Sequence, residues 1–171
     1  GEAPKVCQVA YVVPRAHKVA ALVGVLQAED AKSALVFCRT RDDVDGAEAD
    51  CRELIARWHG RDRLAFALTV RFAPTSTPAQ LAMAGRLCAE DPTLYMQTHV
   101  AENRDEVRWV AELFPQARSY LDVYARAGLL HARSVLAHGV WLDDADRAAL
   151  RATRAQIAHS PSSNLFLGSG L

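Results

Sequence analysis

The 171 residues are half apolar and 23% charged, enough for one cored domain or two small ones. Twenty Lys and Arg balance twenty Asp and Glu, which argues against a basic nucleic-acid-binding domain, and no window nears the ~20 consecutive apolar residues of a membrane span. Cys7, Cys38, Cys51 and Cys88 lie far apart with no C-x-x-C spacing, so they read as reduced, mostly buried thiols of a cytoplasmic protein.

In chain order, residues 6–13 form an apolar, β-branched run closed by Pro14, a strand signal. Val19, Leu22, Val23 and Leu26 fall on one helical face and predict a helix over 17–27. A short buried strand follows at 34–38, then a helix over 47–58 stopped by Gly60. Residues 64–72 read as a strand that Pro74 cannot continue. Thr77 and Pro78 then supply an N-cap and a first helical residue. The remaining pattern predicts strands at 94–100, 135–140 and 156–159, with helices at 103–113, 120–127 and 143–153. Alternation of this kind gives an α/β fold, a parallel sheet of about six strands with covering helices.

Three of the strands end alike: Gln97-Thr98-His99, Leu136-Ala137-His138 and Ile157-Ala158-His159. In parallel α/β folds the C-terminal strand ends form the functional rim, so three of the six histidines fall where a site would be built. His99 is followed three residues later by Glu102. An imidazole there can ligate a metal while the carboxylate moves protons to and from the attacking water. Glu102 also suits the positive end of a helix dipole. Arg71-Phe72 ends another strand and would suit a flat, heteroatom-rich ring, although a snorkelling Arg beside a core Phe fits as well. The tail from Ser160 to Asn164 reads as a turn rich in hydroxyls and one amide.

From about residue 50 to 171 the chain resembles the guanine deaminases of the amidohydrolase superfamily. The resemblance rests on Leu54-Ile55-Ala56-Arg57-Trp58-His59-Gly60, Arg71-Phe72-Ala73-Pro74-Thr75-Ser76, Gln97-Thr98-His99-Val100-Ala101-Glu102-Asn103 and Tyr120-Leu121-Asp122-Val123-Tyr124, followed by the block from Ala158 to Gly170. It implies part of a (β/α)8-barrel zinc hydrolase acting on guanine as its purine-base partner. His99 would then be a zinc ligand, Glu102 the proton shuttle, His138 the residue orienting the attacking hydroxide, and Arg71 and Phe72 the purine contacts. Val70 and Ser160 depart from the family pattern, which commonly has Pro before Arg-Phe and Cys after the histidine.

Residues 1–45 resemble something else, the start of the second RecA-like domain of DEAD-box RNA helicases. The resemblance is carried by Gln8-Val9-Ala10-Tyr11-Val12-Val13 and by Ala34-Leu35-Val36-Phe37-Cys38-Arg39-Thr40-Arg41. The two resemblances together imply a chimera: a helicase-like β-α-β unit over 1–45 and a partial barrel over 46–171, packed as one domain. The family's His-x-His pair and its eighth-strand aspartate have no counterpart here, so zinc held weakly or not at all, and little deaminase activity from the chain alone, are expected. The helicase-like part has no P-loop, and the neutral charge makes nucleic acid an unsuitable partner. Open sheet edges make a homodimer the expected assembly.

Overall fold

A computed structural model describes residues 44–170, together with a few isolated positions between 13 and 25. The chain divides into two compact units, Gly1–Ala34 and Leu35–Leu171, and the second carries the sheet. The strands expected at 6–13 and 34–38, and most of the helix expected at 17–27, lie outside the described residues.

Helix α1 (Val44–Trp58) ends where Gly60 takes up φ +72°, a left-handed conformation that costs glycine little. Strand β1 (Ala67–Thr69) leads through a 3-10 turn at Ala73–Thr75 into α2 (Pro78–Glu90). The Thr77 side chain accepts from the Gln80 backbone N–H while the Gln80 side chain accepts from the Thr77 N–H, with Pro78 at the first position, as the sequence foretold. Next come β2 (Tyr95–Val100), α3 (Arg104–Leu113), α4 (Tyr120–Arg126) and β3 (Ser134–His138). The described chain closes with α5 (Asp144–Thr153), β4 (Gln156–Ala158) and α6 (Pro161–Leu167).

The sheet is parallel throughout, in the order β1-β2-β3-β4. It has four strands among the described residues where about six were expected, because the two N-terminal candidates lie outside them. β1 is also shorter than the expected 64–72. Only Ala67, Leu68 and Thr69 find partners on β2, which leaves Arg71 and Phe72 beyond the strand end. One face of the sheet, carrying Leu68, Met96, Val100 and Leu136, is sealed by Leu81, Leu87, Val110, Leu121 and Tyr124 of the helices. Burying a side chain of this size stabilises by roughly 1.5–3 kcal/mol. The opposite face, with Gln97, His99, Val135 and Ala137, is only partly covered. Cys51 and Cys88 are buried, and burial pushes the Cys88 thiol up to about 11, so it stays protonated.

Candidate functional site

The parallel register brings the ends of β2 and β3 side by side, with His99 opposite Ala137 and Val100 opposite His138. Strict alternation would therefore send the two imidazoles to opposite faces. His138 escapes that alternation. Its backbone leaves the extended region for φ +73°, an uncommon conformation for a residue with a side chain. The two rings consequently stack, with centroids 5.4 Å apart and planes 25° from parallel.

Hydrogen bonds orient both rings and place the hydrogen on one of them. His99 Nδ1 lies 2.7 Å from the Arg71 carbonyl oxygen, which can only accept, so Nδ1 carries the hydrogen and Nε2 is left bare. His138 Nδ1 lies 2.7 Å from Asn164 Oδ1. Its Nε2 then faces Glu102 Oε2 at 3.6 Å, in a corner where both side chains are largely buried. Glu102 reaches that corner because Ala101, at φ +47°, turns the chain sharply off β2 before Asn103 caps α3 by accepting from the Glu106 N–H.

Arg71 and Phe72 project from the segment beyond β1. The Arg71 guanidinium lies 5.3 Å from the Phe72 ring centroid, and Phe72 meets Trp109 of α3 edge-on at 6.4 Å. Arg71 remains exposed and Phe72 half-buried. Their main chain is tied to His99 through the Arg71 carbonyl, so these four sequence-chosen residues, His99, Glu102, His138 and Arg71, fall at one rim with Phe72 beside them. His159, the third strand-end histidine, stands exposed past β4.

Sequence reasoning missed Asn164, Trp109 and Tyr124. The tail expected to be a turn is a helix started by Pro161, and α6 carries the fully buried Asn164 to the back of His138. Glu106, one turn after Glu102, is buried beside Tyr120. Loss of solvent raises its carboxyl above the ordinary range, an effect the Tyr120 hydroxyl opposes. A carboxyl raised in the folded state binds more protons there than in the unfolded chain, so its contribution to stability falls as pH rises through the unfolded and then the folded value. Glu106→Gln is therefore expected to raise the thermal midpoint at pH 7 and to leave it nearly unchanged at pH 4, as read by scanning calorimetry.

The donor chemistry suits part of a zinc shell. A ligating imidazole needs one bare nitrogen and gains orientation when its other N–H is held by a carbonyl, which describes His99. A catalytic zinc usually takes three protein ligands, and among the described residues no cluster of three His, Cys, Asp or Glu side chains is placed to hold a metal. The described residues therefore fit a zinc site in part and do not complete one.

A model of the amidohydrolase family matches residues 8–171. The chain belongs to the amidohydrolase family. That match runs through the segment whose sequence resembles a helicase, and no comparison supports a helicase segment or a chimera. Guanine deaminase of Escherichia coli is 47% identical to this amidohydrolase over 130 residues, which are 76% of this chain and 30% of that protein. A solved structure of E. coli guanine deaminase matches with a TM-score of 0.78 at 40% identity, covering 90% of this chain and 38% of that one. An adenosine deaminase from Xanthomonas campestris with bound zinc matches with a TM-score of 0.61 at 25% identity, over 72% of this chain and 27% of its own. This amidohydrolase thus spans about a third of the length of these relatives.

Proposed function

We propose that these residues form the central part of a purine-deaminase site that acts on guanine, exchanging its exocyclic amino group for oxygen to give xanthine and ammonia. The observation that carries this reading is the convergence of two imidazoles and Glu102 at one rim, beside Arg71 and Phe72. Similarity to E. coli guanine deaminase supports guanine as the purine, and the zinc in a structural neighbour supports the metal.

Zinc, when bound with His99 among its ligands, would lower the pKa of water enough to make it a nucleophile near neutral pH. The protein's own groups supply the rest. Phe72 offers an apolar face to the flat ring, and the Arg71 guanidinium offers paired N–H donors to a ring carbonyl or nitrogen. Glu102 takes a proton from the attacking water and delivers it to the departing nitrogen, so the base recovers its starting state once each C–N bond has been exchanged for C–O. His138, held from behind by Asn164 through Nδ1, hydrogen-bonds the attacking oxygen through Nε2 and fixes its approach.

The test is guanine hydrolysis in zinc-supplemented buffer, followed as loss of guanine absorbance with one ammonia released per guanine consumed. Folded, zinc-supplemented protein that leaves guanine intact would overturn the proposal.

A further inference from the structure

The helix α4 contributes nothing to the proposed chemistry, yet its Tyr124 side chain is completely buried directly beneath the rim. The phenol oxygen lies at the junction of three elements. It donates to the His99 carbonyl at 2.8 Å, since a carbonyl can only accept. It accepts the Ala73 backbone N–H at 2.9 Å, and the Thr98 hydroxyl lies 3.1 Å away. A second junction sits one residue to the other side of Phe72. The Arg71 carbonyl accepts both the His99 backbone N–H at 3.3 Å and the His99 ring Nδ1–H at 2.7 Å. Phe72 is thus bracketed: the carbonyl before it and the N–H after it are both tied to the main chain or ring of His99, one directly and one through Tyr124.

We infer that Tyr124 is a positioning residue, whose hydroxyl locks the Arg71–Phe72 segment to His99 so that a bound purine is held in register with the reacting centre. This rests on the guanine-deaminase reading for its consequence in turnover, though the coupling of the two segments stands on the hydrogen bonds alone. The physical basis is that the β1–β2 register ends at Thr69, and beyond it the Arg71 carbonyl makes one main-chain bond to β2, at 3.3 Å from the His99 nitrogen. Without the phenol oxygen, the buried Ala73 N–H loses its partner and the His99 carbonyl keeps the longer contact to the Thr98 hydroxyl at 3.5 Å, so the segment is free to shift by a fraction of an ångström. Misplacement on that scale is costly to a reaction that depends on alignment.

Tyr124→Phe removes only the hydroxyl. The expected result is a fall in kcat of roughly tenfold with KM changed less than about threefold, because Arg71 and Phe72 still bind the purine. Partial unfolding would mimic that fall, so the deciding comparison is made in a Phe72→Ala background. If Tyr124 acts through the bracketed segment, adding Tyr124→Phe there costs less than about twofold, whereas a loss of folded protein multiplies equally in both backgrounds. Equal losses in the two backgrounds would overturn the inference. Folded, unsubstituted protein that leaves guanine intact in zinc-supplemented buffer would instead overturn the deaminase reading.

Hydrogen exchange in the unsubstituted protein decides the coupling without any variant or activity. The Ala73 and His99 amides are expected to open together, with protection factors within about fivefold of each other; a difference of more than about tenfold would overturn the lock.

Discussion

Guanine turnover is expected to fall by roughly 10²–10⁴-fold in Glu102→Gln, with KM almost unchanged and the fold intact. The substitution keeps the size and shape of the side chain and removes only its capacity to carry a proton. Among the described residues, Glu102 is the carboxylate that faces an imidazole nitrogen at this rim, 3.6 Å from His138 Nε2. Its competing role, an acidic group near the start of α3, concerns stability rather than rate and is worth about 0.3–1 kcal/mol. The first turn of α3 holds Asp105 and Glu106 in addition, so loss of one more charge there leaves the helix formed. Xanthine formation within threefold of the unsubstituted protein would remove Glu102 from the chemistry.

Gly85→Ala is expected to destabilise the protein by about 3 kcal/mol or more, lowering the thermal midpoint by roughly 6–12 °C. Two effects compete. Alanine is the better helix former by ~1 kcal/mol, and Gly85 lies inside α2. Against that gain, a β-carbon at this position would sit 1.8 Å from the Ala127 carbonyl oxygen and 3.0 Å from its carbon. Both atoms are backbone and cannot swing aside, so α2 must move away from the end of α4 and open the core packed between them. The overlap wins. A denaturant titration that finds Gly85→Ala more stable than the unsubstituted protein would mean that α2 and α4 do not approach as described. Because α4 also carries Tyr124, the same variant is expected to lower turnover.

The parts of the fold legible in the sequence are those fixed by local chemistry. Thr77-Pro78 caps and starts a helix whatever surrounds it, and Gly60 ends one, so both boundaries follow from the chain alone. The strands β2 and β3 declare themselves as short apolar runs, and the histidines at their ends follow from that. The length of β1 was not legible, because pairing depends on where β2 begins rather than on the apolar run from 64 to 72. The helix α6 read as a turn because Ser162 and Ser163 break any apolar period; Leu165, Phe166 and Leu167 all remain exposed on it.

The site was legible as residue types and not as geometry. His99 and His138 were chosen for their places at strand ends, but alternation alone would have separated them, and only the left-handed turn at His138 brings the rings together. His159 shares the sequence pattern without the left-handed turn that His138 makes. Asn164, Trp109 and Tyr124 act from 26, 37 and 25 residues away, on His138, Phe72 and the His99 carbonyl in turn, and contacts of that range leave no local signal.

The convergence of His99 and His138 is tested most directly by long-range proton–nitrogen correlation spectra of the histidine side chains in mildly alkaline buffer. His59 provides an internal reference, because its Nδ1 accepts the Phe66 N–H and its hydrogen must therefore sit on Nε2. His99 is expected to show the opposite pattern, with protonated Nδ1 and bare Nε2. A spectrum in which His99 carries its hydrogen on Nε2, as His59 does, would contradict the site.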